Sequence, residues 1–364
     1  MGTEREGNVT IELTRWQMTS PNHPMECSTV DFDPSTLAAG RVLVEVAGCG
    51  VCHTDLGFLY DGVRTRHELP LTLGHEISGH VVAAGAGAES LVGAAVVVPA
   101  VLPCGTCDAC RRGRGAVCAA QFFPGNDDHG GFASHVIVPS EGLCRVDEGA
   151  LAASGVGLAS LSVLADAVTT AYQAILNAGL AAGDLAVFVG AGGVGSFGVQ
   201  LAHALGARVV AIDVDAARLE VLAQHGADLT IHSTGDIRAV KKQVRDWAKA
   251  QGLPPTGWKI FETSGHPAGQ ELAYELLNYD AHLAVVGYTR EKVSIRLSNL
   301  MAFDATARGT WGCLPEHYPA VVDHVLSGRV HVAPFIEARP MAELNETFEA
   351  LHRHELKRRP VMIP

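Results

Sequence analysis

Gly48-Cys49-Gly50-Val51-Cys52-His53-Thr54-Asp55-Leu56 is the stretch that decides the fold. Residues 41–46 before it, Arg-Val-Leu-Val-Glu-Val, alternate as a half-buried strand does. The glycines at 48 and 50 predict a break in that strand. Cys52 is then offered from a turn, with the hydroxyl of Thr54 and the carboxylate of Asp55 beside it. Gly74-His75-Glu76 follows, between the apolar residues 70–73 and another alternating run. One thiolate and one imidazole on adjacent loops make two zinc ligands. Either residue alone reads equally as a buried cysteine or a surface histidine. The weight comes from the rest of the chain.

The 364 residues predict two domains. With 48% hydrophobic and 18% charged residues, the composition is that of a soluble, core-forming chain. A formal charge of −12 argues against non-specific binding of nucleic acid or acidic membranes. Residues 1–10 are polar and lack a signal-peptide core. Residues 149–168 carry little charge but are rich in Ala, Gly and Ser, and no leucine-like run reaches transmembrane length. These features predict a cytoplasmic protein. Nine cysteines are an odd number, and four of them fall within 104–118. In a reducing compartment that favours metal over disulfides.

Short β-like runs at 9–13, 41–46, 77–83, 94–98 and 134–138, punctuated by Gly and Pro, predict a small, partly closed barrel. Near residue 160 the texture changes. Strands at 185–189, 208–212, 229–232, 258–261 and 282–286 alternate with helices at 194–205, 216–224, 237–250 and 268–277. Repeated βα units imply a doubly wound parallel sheet. Two further helices, 316–326 and 342–352, and a strand-like 361–363 close the chain.

Cys104-x2-Cys107-x2-Cys110-x7-Cys118 is the strongest metal signal. Four thiolates so spaced close a tetrahedron round zinc. The final gap of seven, and Ala119 after it, differ from a ferredoxin run. No fifth donor is evident, so the site reads as structural. Arg111, Arg112 and Arg114 are placed to offset the charge of a zinc–thiolate tetrad, or form a solvated basic loop. Gly190-x-Gly192-Gly193-x-Gly195 follows an apolar strand and opens a helix, the context in which such glycines admit a pyrophosphate. Asp213 ends the next strand, where a carboxylate accepts both ribose hydroxyls and repels a 2′-phosphate, which favours NAD. Arg218 nearby favours NADP, and Asp213 as a helix cap is the alternative.

On these motifs the chain resembles, over nearly its full length, the zinc-type medium-chain dehydrogenase/reductases of the alcohol dehydrogenase family. The resemblance implies a GroES-like β-barrel catalytic domain at 1–165 with a structural-zinc lobe at 104–118. It implies a Rossmann NAD-binding domain at 166–311 and a return to the catalytic domain at 312–364. Cys52 and His75 match the catalytic zinc ligands. The third ligand is usually a cysteine; here the matching segment Asp166-Ala167-Val168-Thr169-Thr170-Ala171-Tyr172 puts Asp166 in its place. A carboxylate oxygen is a competent zinc ligand. Asp55 matches the acid that orients the histidine ligand, Glu76 the acid beside the zinc, and Thr54 the hydroxyl that relays the alcohol proton. His53 matches a cofactor-phosphate contact. Thr170 and Val194 match residues against the nicotinamide, and Gly287 is a further cofactor contact. One match fails: the histidine relay of some members falls on Gly57. The implied activity is oxidation of a secondary alcohol by hydride transfer to NAD, with two zinc ions per chain and a homodimeric or homotetrameric assembly.

Narrower motifs include Trp16-Gln17-Met18-Thr19, Tyr60-Asp61-Gly62-Val63, Gly257-Trp258-Lys259-Ile260-Phe261-Glu262, Gly309-Thr310-Trp311-Gly312 and Leu356-Lys357-Arg358-Arg359. They resemble the 6-hydroxycyclohex-1-ene-1-carbonyl-CoA dehydrogenases of anaerobic benzoyl-CoA degradation. That likeness implies a cyclic allylic alcohol carried as a CoA thioester, with Arg64, Arg66, Arg290, Lys292 and Arg296 as candidate cations for the CoA phosphates. Rival readings are another zinc alcohol dehydrogenase with a free alcohol substrate, an enoyl-CoA reductase, and a non-catalytic dinucleotide-binding protein. Alcohol-dependent NADH formation separates catalysis of this kind from the last two.

Overall fold

The computed structural model describes residues 10–364; Val9, read from sequence into the first strand, lies outside the described residues. In chain order, the first stretch comprises β1 (Ile11–Met18), β2 (Glu26–Phe32), β3 (Arg41–Gly50), α1 (His53–Leu59), β4 (Leu71–Thr72), β5 (Glu76–Ala84), β6 (Ala95–Val98), α2 (Asp108–Arg111), β7 (His135–Pro139), β8 (Cys144–Arg145) and α3 (Glu148–Ser154). A 3₁₀ helix, Leu158–Ala165, follows. The second stretch comprises α4 (Ala167–Ala178), β9 (Leu185–Val189), α5 (Gly195–Ala204), β10 (Arg208–Asp213), α6 (Ala216–Ala223), β11 (Leu229–His232), α7 (Ile237–Ala250), β12 (Lys259–Glu262), α8 (Pro267–Glu275), β13 (His282–Val285), α9 (Ser298–Phe303), β14 (Thr306–Gly309) and α10 (Tyr318–Leu326). The chain ends with β15 (Ile336–Pro340), α11 (Leu344–His352) and β16 (Arg359–Ile363).

Two compact units result. One takes the residues up to Asp166 with Leu314–Pro319 and Ile336–Pro364; the other takes Ala167–Cys313 and Ala320–Phe335. Residues 320–335 therefore pack with the second unit, whereas the sequence division gave all of 312–364 to the first. The reason is local: Val321, Val322, Val325, Val330 and Val332 are buried, and Gln200 of α5 bonds both backbone groups of His331.

In the first unit, seven strands form a sheet in the order β15-β16-β3-β5-β6-β8, with β7 also on β3, and β1, β2 and β4 form a second sheet. One core joins them, from Met18 and Leu71 through Val42, Val44 and Ile77 to Phe132 and Phe348. Contrary to the predicted break, β3 runs through Gly48 and Gly50. Its glycines serve close approach, not termination. A Cβ on Gly48 would meet the Ala159 carbonyl at 2.8 Å, and one on Gly50 would meet Glu76 Oε2 at 2.1 Å. Cys52 likewise sits not in a turn but at the N-cap of α1.

The second unit is a six-stranded sheet, order β11-β10-β9-β12-β13-β14, with every pairing parallel. β9 is buried at all five positions, as a central parallel strand must be. α7 shows why it is a helix: Asp236 caps it by accepting from Ala239, and Val240, Val244 and Ala248 bury one stripe at a spacing of four. The helices expected at 316–326 and 342–352 begin two residues later, each after a single 3₁₀ turn. Among the described residues no single helix is long and apolar enough to cross a membrane; the low-charge stretch is two short helices bent by 106°.

Candidate active site and metal centres

The β3–β5 ladder places Gly50 opposite Glu76, and the β3–β16 ladder places it opposite Val361. Three segments distant in sequence thus meet around the end of β3. Cys52 follows β3 after the single residue Val51, and its amide donates to Asp55 Oδ2 at 2.9 Å. Asp55 Oδ1 accepts from Gly74 N at 3.2 Å and lies 3.3 Å from His75 Nδ1. One fully buried carboxylate therefore ties the loop carrying the thiol to the loop carrying the imidazole. Asp166 arrives from the end of the 3₁₀ helix, which Ser78 anchors by donating to the Leu158 carbonyl at 2.7 Å. Its Oδ2 stands 3.8 Å from Cys52 Sγ and 3.5 Å from His75 Nε2.

Cys52, His75, Glu76 and Asp166 each present one donor atom, all within 4.8 Å of one another. Zinc ligands at about 2.0–2.3 Å from a common ion lie about 3.3–3.8 Å apart, so the Cys52, His75 and Asp166 distances fit. His75 is buried, and neither ring nitrogen makes a hydrogen bond. Burial alone would lower its pKa, but the Asp55 and Asp166 carboxylates and the Cys52 thiol raise it well above the usual value. A centre that draws positive charge onto a buried imidazole is one that accepts a cation.

Glu76 is fully buried, and Arg359 donates to it twice, Nε to Oε2 at 2.7 Å and a terminal nitrogen to Oε1 at 2.6 Å. Burial pushes the Glu76 carboxyl up to about 7 against the pull of Arg359. The sequence reading missed Arg359 as a site residue. It lay inside a quoted motif, but nothing in that motif shows a buried partner across the sheet. Thr54 Oγ1 lies 3.7 Å from Cys52 Sγ, while His53 is exposed at the start of α1. Phe123 closes one side, its ring edge-on to His75 at 5.0 Å.

In the second centre the sulfurs of Cys107 and Cys110 are 3.5 Å apart, those of Cys107 and Cys118 3.6 Å, and those of Cys118 and Cys104 3.4 Å. These are far too long for disulfides and near the edge of about 3.8 Å expected for a zinc tetrathiolate. The backbone and hydroxyl of Thr106 draw the Cys104 thiol down to about 6, toward the ligating form. Two of the arginines expected to offset the cluster's charge are otherwise engaged: Arg111 donates to the Thr106 carbonyl and Arg112 pairs with Asp108.

At the C-terminal ends of β9 and β10, Gly190 takes φ +100° and would clash with Ser264 if it carried a Cβ. Gly192 and Gly193 continue the turn, Val194 caps α5, and Gly195 begins it with its Cα against the Gly190 carbonyl. Asp213 is buried; its two oxygens accept from Ala191 N at 2.6 Å and Asp215 N at 2.8 Å. The cap of α6 is Asp215, not Asp213. Arg218 stands 3.7 Å from Asp215, which tempers its charge. Thr170 is buried in α4, and Gly287 follows β13. Of the candidate CoA cations, Arg66 pairs with Asp127 at 3.4 Å, and Arg64, Arg290, Lys292 and Arg296 are exposed on their separate units.

Residues 38–148 match the alcohol dehydrogenase GroES-like domain, and residues 193–327 match the zinc-binding dehydrogenase family. The galactitol 1-phosphate 5-dehydrogenase of Escherichia coli K12 is 30% identical over 276 residues, covering 74% of this chain and 75% of that protein. An alcohol dehydrogenase of Geobacillus stearothermophilus is 27% identical over 330 residues, covering 90% and 92%. The crystal structure of the alcohol dehydrogenase from Aeropyrum pernix superposes with a TM-score of 0.84 at 28% identity, over 96% of this chain and 100% of that one. The chain belongs to the zinc-type medium-chain alcohol dehydrogenase family. It is a zinc- and NAD-dependent oxidoreductase of the alcohol dehydrogenase type.

Proposed function

We propose that this protein oxidises a cyclic allylic secondary alcohol, carried as a CoA thioester, to the corresponding ketone: 6-hydroxycyclohex-1-ene-1-carbonyl-CoA to its 6-oxo product. The observation that carries the reaction class is the convergence of Cys52, His75 and Asp166 beside Thr54. The narrow sequence motifs support the substrate. Zinc, when held by those three residues, supplies a Lewis acid that lowers the pKa of the substrate hydroxyl, and NAD supplies the hydride acceptor. The Thr54 hydroxyl accepts the substrate proton and passes its own on. Asp55 fixes the His75 ring from behind. Arg359 donates to both Glu76 oxygens and so competes with any ion for that carboxylate. At residue 57 there is only a buried glycine, so no imidazole continues the relay there. Asp213, at the end of β10, is the carboxylate that would accept the adenosine ribose hydroxyls, which supports NAD as the dinucleotide. Cys104, Cys107, Cys110 and Cys118 hold a second, structural zinc.

A free secondary alcohol is the second reading, because relatives bear the names of alcohol, threonine and galactitol-phosphate dehydrogenases. Steady-state kinetics with the hydroxycyclohexenoyl-CoA and with simple alcohols decides between them. The thioester should show the higher kcat/KM, and its KM should rise more steeply with salt, because the phosphates must meet exposed cations on an acidic protein. A free alcohol with the higher kcat/KM overturns the substrate assignment and leaves the reaction class intact. We also propose a homodimer or homotetramer, supported by the exposed edge strand β14 and by Leu297 and Met301, which are 68% and 79% exposed. A monomeric mass in light scattering overturns it.

A further inference from the structure

We infer that Glu262 is a positioning residue for the dinucleotide cradle: its carboxylate sets the turn at 263–265, which braces Gly190 on one side and Gly287 on the other. The inference rests on the reading of residues 190–195 as that cradle. Glu262 ends β12 and is fully buried. Its Oε1 accepts three hydrogen bonds, from Ser264 N at 2.8 Å, Ser264 Oγ at 2.5 Å and Gly265 N at 3.1 Å. Its backbone carbonyl accepts from Val286 N at 2.9 Å and Gly287 N at 3.0 Å. From the turn so fixed, Thr263 donates its amide to the Val189 carbonyl at 2.9 Å and its hydroxyl to the Gly190 carbonyl at 2.7 Å.

The three segments touch backbone to backbone. A Cβ on Gly190 would lie 2.5 Å from Ser264 N, and one on Gly287 would lie 2.2 Å from Gly265 N. Nothing is left between them to absorb a shift of the turn, so a displacement at 264–265 passes directly to both glycines. Glu262 Oε2 is buried with no hydrogen-bond partner. A carboxylate with one oxygen left unbonded in a dry site is costly. Simple filling of the space would be served better by an apolar side chain. What the carboxylate adds is the charge-assisted triple bond on Oε1, which sets the position of the turn.

Calorimetric titration of the zinc-loaded protein with NAD tests this. If the unmutated protein does not bind NAD, the cradle reading itself fails. If it does, Glu262→Ala should weaken NAD binding by about tenfold or more, and Glu262→Gln, which keeps an acceptor at Oε1, should recover most of the loss. KM for NAD should rise with the dissociation constant, while KM for the alcohol and the zinc content stay unchanged. In the NAD-free protein, hydrogen exchange at Ser264 and Gly265 should quicken in Glu262→Ala. A merely structural role would lower the melting temperature and leave NAD affinity within about twofold of the original; that result overturns the inference. Should Glu262→Ala fail to fold, the double variant Thr263→Val with Ser264→Ala decides. It should weaken NAD by about fivefold, and binding within twofold rejects the role of the turn.

Discussion

At the scale of single residues, the family pattern and this chain part at Asp166, where a carboxylate stands in place of the usual thiolate. Asp166→Ala should strip zinc from the Cys52–His75 centre and lower kcat/KM by about a hundredfold or more, while Asp166→Cys should retain metal. Elemental analysis beside the kinetics checks both, and a fully active alanine variant rejects Asp166 as a ligand. Asp213 has a second task that its position in the sequence did not reveal. Beside the ribose contact proposed for it, it holds the Ala191 amide of the glycine turn. Asp213→Gly should therefore weaken NAD outright, and shift the NAD-to-NADP preference by about tenfold toward NADP, as read from kcat/KM for the two cofactors.

At the scale of elements, the reactive centre depends on how closely β3 and β5 approach. Gly50→Ala would drive a methyl into Glu76 Oε2 and displace it from Arg359, leaving a buried charge poorly paired. The expected loss is about 3 kcal/mol, measured by urea denaturation, with loss of zinc from the neighbouring centre. The cysteine lobe is a separate element with donors for a metal of its own. Purified protein should carry about two zinc ions per chain, one of them easily chelated and the other resistant. Cys107→Ala should leave about one, and should open residues 104–118 to protease while NAD titration is unaffected. A single zinc in the unmutated protein rejects the second centre.

Across the whole molecule, a set of partly buried histidines shapes the response to acid. His129, His135, His282 and His324 all have lowered pKa values, chiefly from burial. Unfolded, each would titrate near about 6.5. Between that value and the lower folded one, the unfolded chain binds more protons, so stability falls as pH falls through that window and is unaffected above it. The histidine contribution should therefore lower the melting temperature between pH 7 and pH 5, opposed over the same range by Glu76, whose raised carboxyl takes up its proton in the folded state first. His282→Gln should flatten the slope, since His282 faces Lys259 and Arg308 and has a buried Nε2 with no partner. An unchanged slope would remove His282 from the account.

Local chemistry, by itself, determined a good deal of this protein. Spacing fixed the four-cysteine lobe, because metal ligands within a short loop meet whatever the rest of the chain does. Period fixed the parallel sheet, because strands buried on both faces read as apolar runs and their glycine turns follow directly. The resemblance assigned Cys52, His75 and Asp166 to one centre, across more than a hundred residues of intervening chain. What only the tertiary structure decided is where side chains meet across ladders. The glycines of β3 looked like strand breakers because their cause, the Ala159 backbone and the Glu76 carboxylate, lies elsewhere in the chain. Arg359 was invisible as a site residue for the same reason, since its partner is 283 positions away. Glu262 likewise acquires meaning only when β9, β12 and β13 lie side by side. Sequence records the periodicity and spacing that a short segment needs, whereas burial of a charge, and the partner that compensates it, are properties of segments brought together by the fold.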